Sequence, residues 1–324
     1  MQRIVLFLTI LSLSAMGIGL LGLRVAAAQS QDIPAWLRPH IGIGDGQIAP
    51  VVLVRARALY LRKVREGAIN NPCYFAKDAT RPGGNGLRFY VICETNRTFR
   101  AVPSGHGSGR SLKGIPDFSN GIRCAKNFSN ALDSKLTTGG PYVTAEIRTS
   151  FKGYYRDGAG SYAPLMRSFL QFDGEGDTAN ARPRAIGGHP AVIVSQVCRM
   201  KAPGNALADR EGYVPFGKLI DYSAGRSNGC TSWFLADAEG ILALVGNTPT
   251  TLYIYPEAAD IVAVARALKA GQSPSRAGLY WNASCLNEIR VPNFWPRETL
   301  EPVLMKYRKD HPPPPPQKLP ICKG

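Results

Sequence analysis

Histidine is scarce in this chain: His40, His106, His189 and His311 are the only four among 324 residues. An imidazole base therefore has few candidates. His311 abuts a polyproline run and His40 lies in the first forty residues, which leaves His106 and His189. Acidic side chains are also short, 23 against 39 Lys and Arg, for a net charge of +16. Summed attraction on that scale favours polyanions. Internal repeats are absent, which excludes a solenoid or propeller built from them. The glycine-rich "GHGSGRSLKG" lacks the closing Gly-Lys-Ser/Thr of a P-loop, so a nucleotide phosphate cradle is set aside. An even cysteine count is missing too. There are seven, and complete pairing leaves one unbridged.

What is present begins with residues 1–28, where Arg3 precedes an apolar run ending in Ala26, Ala27 and Ala28. This reads as a secretory signal with a small-residue cleavage site. The run from Ile4 to Leu23 is long enough to span a bilayer if it were retained, so a membrane link is expected only through this segment. Export places the chain in an oxidising compartment or outside the cell, where disulfides persist. The basic excess then meets carboxylate- or phosphate-rich wall polymer or anionic lipid, and nucleic acid is not an expected partner.

Proximity along the chain orders the possible disulfides without fixing them. Cys73 and Cys93 bracket a Pro-Gly-Gly-Asn-Gly turn, Cys285 and Cys322 bracket the C-terminal extension, and Cys124 and Cys198 remain as a longer-range pair. Cys230 is left over. It closes "GRSNGC" at 225–230, and the alternative that it is bridged, leaving another thiol free, stays open at this level.

Patterning predicts a mostly β, α+β fold. "PVVLVRARALYLRKVREGAI" has helical apolar spacing with a basic outer face. "GLRFYVICETNRTFRAVP" reads as a hairpin, and strands are expected at "YVTAEI", "RAIGGHPAVIV" and "TTLYIYP". Helices are expected at "LADAEGILALVG" and at "EAADIVAVARALKAG", which stops at Gly271. Beyond residue 272 the chain is expected to be a proline-rich extension ending in a polyproline segment and tied back by a disulfide. The division expected is a signal at 1–28, a helical or extended segment at 29–85, a catalytic domain at 86–257 and a C-terminal helix and tail at 258–324.

His106 and His189 each follow a strand and sit among small residues, which leaves room for a substrate. A thiol with an ordinary pKa of about 8.5 needs a base or a positive field to become a nucleophile, and an imidazole supplies both. Gly229, just before Cys230, lets main-chain N–H groups approach a reacting carbonyl, where they stabilise an oxyanion. Arg226 is suited to a forked pair with a substrate carboxylate.

"RAIGGHPA" followed by "GRSNGC" resembles the L,D-transpeptidase catalytic domain family, the YkuD-like enzymes of bacterial cell walls. The likeness is strongest to the murein L,D-transpeptidase branch, with "GHGSGR" at 105–110 and "FSN" at 118–120 and 128–130 in the same order. It covers about residues 86–257. The resemblance implies a curved mixed sheet or sandwich with flanking helices. It also implies Cys230 as nucleophile, His189 as general base, Ser227 orienting the site through its backbone carbonyl, and Gly229 and Cys230 as oxyanion donors. Arg226, Asn228 and His106 fall at positions to contact substrate. The implied substrate is a peptidoglycan stem peptide, cut between a diamino acid and D-alanine and transferred to an amine, with no metal or organic cofactor. Water as acceptor would make the same site an L,D-carboxypeptidase, and loss of activity would leave a peptidoglycan-binding protein. Departures are Pro190 where relatives carry Gly, Asn228 where many carry histidine or an aromatic residue, "TSW" after the cysteine, and a wider spacing from His189 to Cys230 that holds "CRMKAPGNALADREGYVP". That insert is expected to form a lid, a cap or a partner surface.

Overall fold

Strand β1 (Cys73–Asp78) shows how the centre of the molecule is organised. All six of its residues are buried, yet they divide by alternation. Cys73 and Phe75 join one hydrophobic core, and Tyr74 and Ala76 join another on the opposite face. The structure, a computed structural model, describes residues 33–222, 226–246 and 248–323. The signal segment expected at 1–28 and Gly225 of "GRSNGC" lie outside the described residues.

The remaining strands are β2 (Leu87–Cys93), β3 (Thr98–Pro103), β4 (Asn127–Phe128), β5 (Gly140–Arg156), β6 (Tyr162–Gly174), β7 (Gly187–Pro190), β8 (Val192–Lys201), β9 (Tyr213–Asp221), β10 (Thr231–Trp233), β11 (Thr251–Tyr255) and β12 (Asn293–Phe294). Ten of the strands form one mixed sheet in the order β10-β7-β6-β5-β11-β1-β2-β3, with β9 joining the outer part of β5 and β8 pairing with β9. The fold is thus mixed, with a large sheet and few helices, as the patterning indicated.

Helix α1 (Pro50–Arg65) covers one face of the sheet. Pro50 starts it without losing a needed donor. Val52, Leu53, Ala56, Leu59 and Tyr60 form its buried stripe against Tyr74, Tyr90, Ile92 and Tyr253. The basic outer face is less free than its composition implied. Arg55 makes a forked pair with Asp260 at 2.6 and 2.9 Å, and Arg57 meets Glu94 at 3.0 Å. Asp260 lies on α3 (Ala258–Lys269), which with α2 (Leu235–Val245) packs on the other face beside Phe75, Phe89, Leu252 and Ile254.

Three expectations are corrected here. The boundary set at residue 86 falls inside the sheet, since β1 pairs with both β2 and β11. The C-terminal region is not merely extended, because it holds α4 (Ala283–Ile289) and the longer α5 (Arg297–Asp310). The disulfides join Cys73 to Cys93, as expected, but Cys124 to Cys285 and Cys198 to Cys322. Chain proximity misled because α4 places Cys285 in the main core beside Cys124 and Phe128. The last residues meanwhile run along β8, where Arg199 and Ile321 form a bridge.

The insert after His189 forms the antiparallel pair β8 and β9 rather than a detached lid. With the outer parts of β5 and β6 it makes an arm extending from the body, held by parallel pairing of Tyr154 with Phe216. The polyproline segment connects α5 to this arm. At one end Arg308 of α5 grips Asp133 at 2.8 Å, and at the other Cys322 is bonded to Cys198.

Candidate active site

The central short strand β7 is held between β6 and β10. Leu170 faces Gly188 on one side, and Thr231 and Ser232 face Gly188 and His189 on the other. Glycine at 188 is demanded by close approach. A Cβ there would lie 2.0 Å from Cη2 of Trp233, a fully buried side chain. Gly229 is demanded by conformation, with φ +108°, and a Cβ would also lie 2.9 Å from Leu136 O. These two glycines set Cys230 at the head of β10 and His189 one strand away.

The register puts Cys230 opposite Gly187, two residues before His189 on the neighbouring strand. Strand spacing then gives about 8 Å between the Cα atoms of Cys230 and His189, with both side chains on one face. Both line a single cleft of about 640 Å³. Cys230 is the one unbridged cysteine among the described residues, and it is buried.

Two distant stretches of sequence meet behind the cysteine. Ser227 N–H donates to His106 O at 2.8 Å, Ser108 N–H donates to Ser227 O at 2.7 Å, and Gly105 N–H donates to Ser232 O at 2.8 Å. The "GHGSG" loop thus clamps the segment that carries the thiol. Beneath it lie two fully buried cations. Lys77 Nζ donates to Gly105 O at 2.7 Å and to Thr231 Oγ1 at 3.0 Å, and Arg88 Nε donates to Ser104 O at 2.7 Å.

This geometry revises the role expected of His106. His106 is fully buried and does not line the cleft: Arg88 donates to its Nδ1 at 2.8 Å, and its Nε2 donates to Gly121 O at 3.0 Å. Both ring nitrogens are used in bracing the loop, so none is left for substrate. The Ser227 carbonyl accepts from Ser108 N–H at 2.7 Å, tying the segment that carries Cys230 to the glycine-rich loop. The Ser227 hydroxyl also donates to Cys230 O. His189 is held by its own neighbour, with Nδ1–H donating to Pro190 O at 2.9 Å. That assignment makes Nε2 the unprotonated nitrogen. Pro190, which removes an amide donor, supplies the carbonyl that fixes the ring. Arg226, Ser227 and Asn228 do line the cleft.

Burial dominates the electrostatics. It holds His189 down at about 4, helped by the charge of Arg167. It pushes the Cys230 thiol up, opposed by the Gly187 N–H and by Arg167, Arg184 and Lys77. The resting state is therefore a thiol, whose Sγ–H donates to Ala185 O at 3.5 Å, and a neutral imidazole in the same cleft, so proton transfer belongs to the attack itself rather than preceding it.

A consequence for stability follows. Folding favours the neutral His189 ring, so its contribution is whole above pH 6.5 and is lost as pH falls through 4. The loss amounts to about 3 kcal/mol. Denaturant unfolding of wild type and His189→Gln is expected to give a constant difference above pH 6.5, with wild type losing stability faster below it; parallel curves down to pH 4 would contradict the buried neutral ring.

The sequence reading missed Asp133, Lys135, Arg167, Phe169, Arg184 and Tyr222, all of which line the cleft. The signals available were faint. Arg167 and Phe169 share a face of β6 by alternation, and Asp133, Lys135 and Ala185 carry positive φ values of 60°, 58° and 50° that no motif announces. Non-glycine residues in that region concentrate at functional sites.

Comparison of the chain with protein-family models, curated proteins and solved structures finds no match to any of the three. Site geometry and the motif resemblance therefore carry the functional reading. The described residues contain no group of three or more His, Cys, Asp or Glu positioned to hold a metal ion, and no helix among them is long and apolar enough to cross a membrane.

Proposed function

We propose that this protein is an exported cysteine acyltransferase of the L,D-transpeptidase type, acting on peptidoglycan stem peptides in the bacterial periplasm or outside the cell. The observation that carries the reading is the unbridged Cys230 sharing one cleft with a neutral His189 while the other six cysteines are paired. The three disulfides and the signal-like residues 1–28 support export. A large mixed sheet with flanking helices accords with the architecture the resemblance implies.

In this mechanism the Cys230 sulfur attacks the carbonyl of the diamino acid that is joined to D-alanine, and His189 Nε2 takes the thiol proton. The tetrahedral oxyanion is met by the amides of Gly229 and Cys230, with Arg184 supplying positive field. Collapse breaks the amide bond. The imidazolium gives its proton to the departing amine, so D-alanine leaves and the acyl group stays on sulfur as a thioester. An amine from a second stem then attacks the thioester, His189 takes its proton and returns it to sulfur, and the cross-linked product departs. Water in place of the amine yields the carboxypeptidase reaction.

Muropeptide analysis of wall sacculi incubated with purified protein tests this reading. New cross-links between two diamino acid residues are expected. D-Alanine trimming alone would identify the carboxypeptidase, and unchanged sacculi would favour a binding protein that keeps the fold without the reaction.

A further inference from the structure

We infer that Arg167 is the carboxylate anchor of the cleft, the side chain that holds the terminal α-carboxylate of the residue released in the proposed reaction. The inference rests on the acyl-transfer reading above and names the residue that selects the substrate. Four cations line the cleft: Lys135, Arg167, Arg184 and Arg226. Arg184 is already committed, to Thr138 Oγ1, to Ser134 Oγ at 3.2 Å and to Leu136 O at 2.7 Å. Arg226, which the sequence favoured for this task, donates instead to Asn120 O. The cleft's carboxylate, Asp133, is occupied by Arg308 at 2.8 Å. The Arg167 side chain makes no hydrogen bond and no ion pair among the described residues.

Lys135 also lacks a side-chain partner there, and placement separates the two. Arg167 stands on β6, paired with Ser150 of β5, whereas Lys135 belongs to a loop. Two residues along β6, the Phe169 ring stacks 6.3 Å from His189 at an interplanar angle of 24°. Arg167 lines the same cleft as His189, Cys230 and Tyr222, and its charge opposes protonation of His189 and favours the Cys230 thiolate. A half-buried guanidinium without a counter-ion is costly and offers a planar fork that a carboxylate completes.

Filling that fork has two effects. It fixes the terminal residue so that the amide before it lies near Cys230, which limits the enzyme to removing one C-terminal residue. It also neutralises a cation that opposes protonation of His189, so the base becomes stronger when substrate is present.

Calorimetric binding to Cys230→Ser protein tests the anchor without requiring turnover. The ligands are a stem tetrapeptide ending in D-alanine and the same peptide ending in D-alaninamide. The acid is expected to bind about 10- to 100-fold more tightly, the range of one charge-assisted pair. Arg167→Met is expected to erase that preference, and Arg167→Lys to retain part of it. Arg167→Gln serves as the second neutral variant if the Met protein does not fold. Equal binding of acid and amide, no binding of either, or a preference that survives loss of the guanidinium would overturn the anchor. Failure of wild type to transfer acyl groups with the preference intact would instead overturn the reaction and leave the anchor standing.

Discussion

Cys230→Ser is expected to lose acyl transfer by about 10⁴-fold or more while keeping its fold, as removal of a nucleophile does when the rest of the site is intact. The change is nearly isosteric at a buried position, and no disulfide is lost because Cys230 is unbridged. A serine hydroxyl is a far weaker acid than a thiol, and His189, held at about 4, is too weak a base to compensate. The three flanking cations cannot rescue a group that does not ionise. The same variant should fail to acquire a covalent adduct from a carbapenem-type β-lactam. Equal labelling of variant and wild type would remove Cys230 from the nucleophile's role.

Gly188→Ala is expected to be the most damaging conservative change to the site's framework. The added methyl would meet Trp233 at 2.0, 2.5 and 3.0 Å. Retreat is blocked on both sides, because β7 is hydrogen-bonded between β6 and β10. The Trp233 ring is also packed edge-on against Phe89 at 5.2 Å. Overpacking of this kind costs about 3 kcal/mol, a fall of roughly 5 °C in Tm at this chain length. Activity should fall further than stability, since the displaced tryptophan is three residues from Cys230 and residue 188 immediately precedes His189. A second change, Trp233→Phe, should restore part of the loss by making room, so the two substitutions are expected to be strongly non-additive. A Gly188→Ala protein with unchanged Tm would mean that the packing between β7 and Trp233 is looser than described.

The residues nearest the chemistry were the most legible in the sequence, because their constraints are local. An odd cysteine count called for one free thiol, the short histidine list left His106 and His189, and the motif resemblance chose Cys230 and His189 among them. The order of "GHGSGR" and "GRSNGC" indicated one site, and the structure joins them through the hydrogen bonds between His106, Ser108 and Ser227. Alternation and helical spacing also located α1, the β2 and β3 hairpin, α2, α3 and β11.

What stayed hidden depends on distance in space rather than pattern. Two disulfides were exchanged because no local rule brings α4 beneath residue 124 or the tail beside β8. His106 looked available among glycines, yet the buried Arg88 that fixes it lies 18 positions away on another strand. Helix α5 was masked by its own composition, with Pro302 inside the helix and a polyproline run after it. Arg167 was one basic residue among 39, and only its lack of partners within a cleft distinguishes it.

The most direct measurement is intact-mass analysis with peptide mapping of wild-type protein, incubated with a stem tetrapeptide without an amine acceptor and quenched in acid. An acyl adduct lacking D-alanine, carried on Cys230, is the expected result. A protein that stays unmodified while the peptide is consumed, an adduct on another residue, or Cys230 found in a disulfide would contradict it.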